Sequence, residues 1–308
     1  MKKYLRLYSR CANLKPTSYY NIPDLTNPEK SNRYHYMQVF LDNGEKTQQF
    51  VPKKNKSIFK YMNLETALQC LKNKNIRFVL PTEWPDKFEG RFYQAKTNFN
   101  YPPSNSLFPN PVFCCCFTTN RTSEASWKTY SYEKSGLGEH VVQFELDFNT
   151  LRDEFSKKVT DQFSIFEGPV FYRLSDYEIK NLHKFGKNKY RIKDFSLNSD
   201  VWDVDSSNWL PLLLIKRQQF YYENEIRFFL LANDNRNNHE EYVSIDWKRV
   251  IKQIYIDPKA SDMEIEILTN YCNQYDVPIG NNAGEIQITR ANLYQMETNT
   301  PIEIIDFN

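Results

Sequence analysis

The residues best suited to chemistry lie in Tyr221-Tyr222-Glu223-Asn224-Glu225-Ile226-Arg227. On an extended chain alternate residues share a face. Glu223, Glu225 and Arg227 then point one way, and Tyr222, Asn224 and Ile226 the other. Two carboxylates at this spacing repel, and each raises the other's pKa. A nearby guanidinium offsets the repulsion and holds one carboxylate in place. The plainer alternative is a solvated strand face with a rim salt bridge, although the aromatic flanks argue against a wholly wet face.

A second constellation runs from Cys116-Phe117-Thr118-Thr119 to Ser126-Trp127-Lys128-Thr129-Tyr130. Two hydroxyls leave an apolar strand just before a helix that carries two large aromatics. Such a corner could stack a flat ring and hydrogen-bond a carboxamide. The alternative is a helix cap beside core aromatics. A third, Phe59-Lys60-Tyr61, leads into a helix capped by Asn63. Anions are favoured at helix N-termini, and Lys60 could assist there, or simply pack and reach solvent. His35, His140, His183 and His239 show no metal-like spacing. P-loop, Rossmann, nucleophile-elbow and kinase patterns are absent from the sequence.

The elements that must position these groups can be read from periodicity. Ile58–Tyr61 reads as a strand, followed by a helix with Leu64, Ala67, Leu68 and Leu71 on one face. Further strands are expected at Ile76–Leu80, Val112–Phe117, His140–Leu146, Val170–Arg173, Tyr221–Leu231, Val250–Ile256 and Ile286–Leu293. Helices are expected from Thr122 or Ser123 to the glycines at 136 and 138, over Leu210–Gln219, and over Asp262–Gln274. Pro81–Phe92 and the proline-rich 100–111 read as loops. Strands and helices mix without a strict βαβ rhythm, which predicts an α+β fold with a mixed sheet. Residues 1–56 differ in character, being rich in Tyr, Asn, Lys and Pro with one plausible strand at Tyr34–Leu41. They read as an extension packed on the main domain, ending in the basic run Lys53–Lys56.

Composition bounds the function classes. Lys plus Arg number 40 against 38 Asp plus Glu in 308 residues, a net charge of +2. That excludes a basic grip over the whole surface, though not a local patch. Aromatics at 16% exclude a disordered chain. The longest strongly apolar stretch, Trp209–Ile215, is too short to span a bilayer, and the N-terminus lacks a signal-peptide core. The six cysteines lack zinc-site spacing, and Cys114-Cys115-Cys116 alternate faces on a strand. They read as small buried hydrophobes in a reducing cytoplasm.

Taken in order, several short motifs resemble a bacterial family, domain of unknown function 2971. They are Lys60-Tyr61, Leu64-Glu65-Thr66-Ala67-Leu68, Ile76-Arg77-Phe78, Asp86-Lys87-Phe88-Glu89, Cys116-Phe117-Thr118, Trp127 to Tyr130 with Gly138, and Tyr222 to Arg227. The resemblance covers about 57–295, leaving the extension 1–56 and a tail, 296–308, outside. More distantly the layout is similar to ADP-ribosyltransferases, which use an Arg or His on a first strand, a Ser/Thr or Tyr element on a second, and a Glu, often in E-x-E, on a later one. Thr118-Thr119 and Glu223-Asn224-Glu225 match the second and third parts. Lys60-Tyr61-Met62 departs from the first, so that Lys60 or Arg77 would have to substitute. The resemblance implies a mostly antiparallel sheet flanked by helices.

It also implies NAD as substrate. Glu225 would stabilise charge on the ribose, and Glu223 would orient or deprotonate an acceptor. Tyr61, Trp127 or Tyr130 would stack on nicotinamide, Thr118 and Thr119 would line the ribose, Lys60 would meet the phosphates, and Arg227 would join them in binding the cofactor. Three readings follow. The first is an ADP-ribosyltransferase or NAD glycohydrolase, a toxin or phage-defence effector acting on a protein or nucleic-acid acceptor. The second is a non-catalytic nucleotide- or protein-binding module on the same fold. The third is a nucleic-acid-binding accessory protein.

Overall fold

A computed structural model describes residues 12–13, 34–36, 57–84, 86, 89–94, 108, 110–121, 123–131, 140–158, 162–174, 210, 213–280, 282 and 284–292. In chain order the strands are β1 (Ala12–Asn13), β2 (Tyr34–Tyr36), β3 (Ser57–Asn63), β4 (Asn75–Val79), β5 (Val112–Thr118), β6 (Val141–Asp147), β7 (Phe163–Pro169), β8 (Phe171–Leu174), β9 (Ile215–Arg217), β10 (Glu225–Ala232), β11 (Glu240–Ser244), β12 (Ile251–Ile256) and β13 (Ile288–Arg290). The helices are α1 (Leu64–Asn73), α2 (Glu89–Tyr93), α3 (Glu124–Ser131), α4 (Phe148–Ser156), α5 (Trp247–Val250) and α6 (Asp262–Gln274).

The main sheet runs β1-β2-β7-β10-β5-β3-β6-β12-β13, with β4 pairing β5 and β11 pairing β4. Its ladders are antiparallel except β2 with β7 and β12 with β13. β8 and β9 form a separate parallel pair. This is the expected mixed, mostly antiparallel sheet flanked by helices.

Local chemistry explains the better-defined elements. Asn63 ends β3 and caps α1, its side chain accepting from the Thr66 N–H at 2.8 Å. Ser261 and Glu264 form a reciprocal capping box on α6. Ser123 accepts from the Ser126 N–H at 3.1 Å at the start of α3.

The two faces of the β5–β10 ladder have different fates. Phe113, Cys115 and Phe117 join Ile226, Phe228 and Leu230 in the main core, covered by Phe148, Leu151 and Phe155 of α4. The Phe155 and Phe228 rings meet edge-on with centroids 4.9 Å apart. By alternation, Cys114, Cys116 and Thr118 share the opposite face with Glu225 and Arg227. The site is built on that second face.

Several expectations are corrected. Leu210–Gln219 is not one helix: β9 occupies Ile215–Arg217, and a 3-10 helix follows over Gln218–Glu223. The strand expected from Tyr221 begins only at Glu225, because Asn224 turns left-handed, φ 43°. The expected loop Pro81–Phe92 opens with a 3-10 turn, Pro81–Glu83, and its end enters the short helix α2, Glu89–Tyr93. α4, β7 and β11 were not expected from periodicity. The extension 1–56, apart from 12–13 and 34–36, and the tail 296–308 lie outside the described residues, as do the glycines at 136 and 138.

Candidate functional site

Glu225 opens β10 opposite Thr118 of β5. It is buried, as are Arg227, Lys216 and Glu89. Arg227 grips Glu225 two-handed, Nε to Oε1 at 3.0 Å and Nη2 to Oε2 at 3.0 Å. The same guanidinium also donates to Glu89 and to the Leu213 carbonyl, and lies over the Trp84 ring 4.3 Å from its centroid. Lys216 Nζ stands 3.2 Å from Glu225 and 3.0 Å from Glu89, and also donates to Glu223. Three carboxylates therefore surround two cations.

Distant segments supply this cluster. Glu89 arrives on α2, which packs tightly on the turn Pro81–Glu83. A Cβ added to Gly90 would sit 2.9 Å from the Pro81 carbonyl, so glycine allows the approach. Lys216 lies in β9, whose neighbour Arg217 bonds Asp86 at 2.9 Å. β8 presents Tyr172, whose hydroxyl accepts from the Glu225 N–H at 2.8 Å.

The αL residue Asn224 sets the acidic pair. Glu223 ends the 3-10 helix and Glu225 starts the strand, so the two are not alternate residues of one strand. Both nevertheless reach Lys216, because the turn between them folds Glu223 back over its ammonium. Thr118 and Thr119 stabilise that turn. The Thr118 hydroxyl donates to the Glu223 carbonyl and accepts from the Asn120 N–H at 2.9 Å. Thr119 N–H donates to the Asn224 carbonyl at 3.1 Å, and its hydroxyl accepts from the Asn224 amide.

The charges separate the two acids. Burial favours the neutral form of Glu225, but Arg227 and Lys216 overcome it and hold the carboxyl well below the usual range. Glu223 is pushed up to about 7, by burial first and then by the Glu225 charge, against the pull of Lys216. Burial works against the Lys216 ammonium, yet Glu225 and Glu89 keep it firmly protonated.

The aromatic corner adjoins the acids. Tyr61 and Trp127 are buried and meet edge-on at 5.2 Å. Tyr61 lies parallel beneath Tyr130, centroids 5.9 Å apart. Tyr130 keeps 41% of its surface open, and its hydroxyl lies within electrostatic reach of Lys60, Cys116, Glu225 and Glu223. Lys60 donates to the Cys116 carbonyl at 2.7 Å and sits over the Phe117 ring. Arg77 pairs instead with Glu240 at 3.3 Å on the β4–β11 edge.

Glu223, Glu225, Arg227, Thr118, Thr119, Lys60 and Tyr130 are thus brought together, with Tyr61 and Trp127 as backing. Arg227, expected among the cofactor-binding residues, is buried with its guanidinium bonded to Glu225, Glu89 and the Leu213 carbonyl. Lys216, Glu89, Trp84 and Tyr172 were missed. Glu89 stood in a motif already noticed, whereas Lys216 carried no signal in a stretch that reads as helix. Among the described residues, no group of three or more His, Cys, Asp or Glu could hold a metal ion, and no helix is long and apolar enough to cross a membrane.

No protein-family model matches the chain, so the resemblance to domain of unknown function 2971 rests on the motifs alone. No curated protein matches its sequence. Among solved structures the chain is similar to Thermus sp. 2.9 DarT in complex with ADP-ribosylated ssDNA, at 10% identity and TM-score 0.35, over 77% of this chain and 95% of that one. It is similar to the same protein in complex with NAD+, at 10% identity and TM-score 0.33 over 78% and 96% of the two chains. The complex with carba-NAD+ gives 12% identity and TM-score 0.32 over 79% and 98%. Likeness at this level transfers no residue roles to the present chain.

Proposed function

We propose that the chain is an ADP-ribosyltransferase-like enzyme that consumes NAD. The observation that supports this reading is the divergence of two carboxylates around one ammonium, with Glu225 held ionised and Glu223 pushed up to about 7. Pairs of acids pushed apart in this way divide electrostatic and proton-transfer roles. Nicotinamide would leave with the electrons of its bond to the ribose, and positive charge would build on the sugar, as in glycoside hydrolysis. Glu225, fixed by Arg227, would stabilise that charge. The acceptor, a group on a protein or nucleic acid or a water molecule, would attack the ribose carbon and lose its proton to Glu223. The open face of Tyr130 would stack a flat ring, and Lys60 would face the phosphates. An enzyme modifying such an acceptor would serve as a toxin or phage-defence effector.

The test is incubation with NAD and measurement of free nicotinamide. Glu225→Gln should lose about 10²–10³ in rate while circular dichroism shows that it stays folded. Unchanged turnover in that variant removes Glu225 from the chemistry. The binding-module reading draws support from Lys60, which stands where an Arg or His is expected and is bonded to the Cys116 carbonyl. Thermal stabilisation by NAD without nicotinamide release would favour it.

A further inference from the structure

Both strands of the small ribbon meet Glu225 at one register. In the parallel β8–β9 pair Tyr172 stands opposite Lys216. Lys216 Nζ lies 3.2 Å from the Glu225 carboxylate, and the Tyr172 hydroxyl accepts from the Glu225 N–H at 2.8 Å. One ribbon therefore holds the side chain and the main chain of the same residue. Tyr172, Lys216 and Glu225 are all buried.

The hydroxyl stands where a sheet would place a carbonyl. Residues paired in an antiparallel ladder exchange both of their N–H···O bonds. The β7–β10 ladder ends with Ile226 opposite Pro169, and the next residue, Val170, still donates to the Glu225 carbonyl at 2.9 Å. The Glu225 N–H does not return to Val170 but goes to Tyr172. By that point the chain has left β10 to pair with β9. A buried N–H needs an acceptor, and this one takes it from the ribbon that also delivers Lys216.

Tyr172 also bears on the other side of the acidic turn. Its ring meets that of Tyr221 edge-on, with centroids 5.8 Å apart. Tyr221 lies in the 3-10 helix that ends at Glu223, whereas Glu225 opens β10. The tyrosine thus spans the left-handed residue Asn224 and touches the segments before and after it.

We propose that Tyr172 is a positioning residue: with Lys216 it makes the β8–β9 ribbon a two-point clamp on Glu225, and through Tyr221 and Glu225 it sets the separation of the two acids. The consequence for turnover rests on the transferase reading. The consequence for the two carboxyl groups does not.

The experiment is Tyr172→Phe in the full chain, which keeps the ring against Tyr221 and removes the acceptor, with circular dichroism to show that it is folded. The ionisable groups bearing on Glu223 are Lys216 of β9, Glu225 of β10, Glu89 of α2, Tyr172 of β8 and Tyr130 of α3. Loosening the clamp parts the acids and admits water. Both changes lower the Glu223 pKa, because burial and the Glu225 charge are what raise it. A carbon-13 titration of the glutamate carboxyls, with Glu223→Gln to assign the signal, should show the Glu223 midpoint of about 7 displaced downward in Tyr172→Phe. In the nicotinamide assay kcat should fall about tenfold to a hundredfold, with the KM for NAD unchanged and the rise through pH 7 moved to lower pH. An unmoved Glu223 midpoint in folded Tyr172→Phe overturns the proposal, even if the variant melts lower. Unchanged kcat beside an active wild type overturns it as well. If Tyr172→Phe does not fold, 3-fluorotyrosine in place of Tyr172 keeps the ring and weakens the acceptor, and the midpoint should move in the same direction; no movement overturns the proposal. A wild type that binds NAD but never releases nicotinamide fails the transferase reading and leaves the carboxyl titration to decide the clamp.

Discussion

The Lys216 ammonium sits 3.2 Å from the Glu225 carboxylate, and both groups are buried. The lysine comes from the small β8–β9 pair and the glutamate from the main sheet. One charge contact therefore fastens the peripheral ribbon to the sheet and orders the acidic pair.

Lys216→Met removes the charge shared by Glu89, Glu223 and Glu225. Breaking a buried pair typically costs about 3–5 kcal/mol. Glu225 has a lowered pKa in the folded state, so its contribution is present above the ordinary value of 4.5 and is lost as pH falls. The cost of Lys216→Met should therefore be larger at pH 8 than near pH 4. Urea denaturation at the two pH values measures it, and an equal cost at both would show that packing dominates.

Glu223 behaves oppositely. Its pKa is raised from 4.5 to about 7 in the folded state. Between those values the folded protein holds a proton that the unfolded chain has lost, so this group makes stability fall as pH rises. Glu223→Gln should flatten stability across pH 4.5–7 and leave the variant relatively more stable at pH 8. If Glu223 is the base, wild-type nicotinamide release should climb through pH 7 and the variant should lose that climb. Melting curves and rates over pH 5–9 report both effects.

Arg227→Lys keeps the charge and loses the two-handed grip, the Leu213 bond and the stacking on Trp84. A lysine cannot reproduce a planar fork. The variant should melt lower and release nicotinamide at least tenfold more slowly. Wild-type behaviour would show that Arg227 supplies charge alone.

Tyr130→Ala and Tyr61→Ala should separate binding from stability. Tyr130 is partly exposed, so its loss should cost less stability than that of Tyr61 while raising the KM for NAD. Tyr61 is buried against Trp127 and Val141, and its truncation should cost about 3 kcal/mol or more. A Tyr130→Ala enzyme with unchanged KM would remove the stacking role.

Residue patterning by itself determined the elements whose signals are local. The Asn63 cap, the apolar stripe of α1 and the continuous apolar run of β5 are written in neighbouring side chains. So was the sharing of one face by Glu225 and Arg227, since strand alternation needs no partner. The nearness of Thr118 to the acidic pair also held, through the β5–β10 register. Tertiary structure alone decided how that pair is held. Asn224 enters the left-handed region because hydrogen bonds from Thr119 and Asn120, more than a hundred residues earlier, fasten the turn around it. Lys216 and Glu89 bracket Glu225 from a stretch that reads as helix and a stretch that reads as loop, at separations no local pattern encodes. The physical reason is range: capping and alternation act over a few residues, whereas a buried charge takes its partners from wherever the folded chain delivers them.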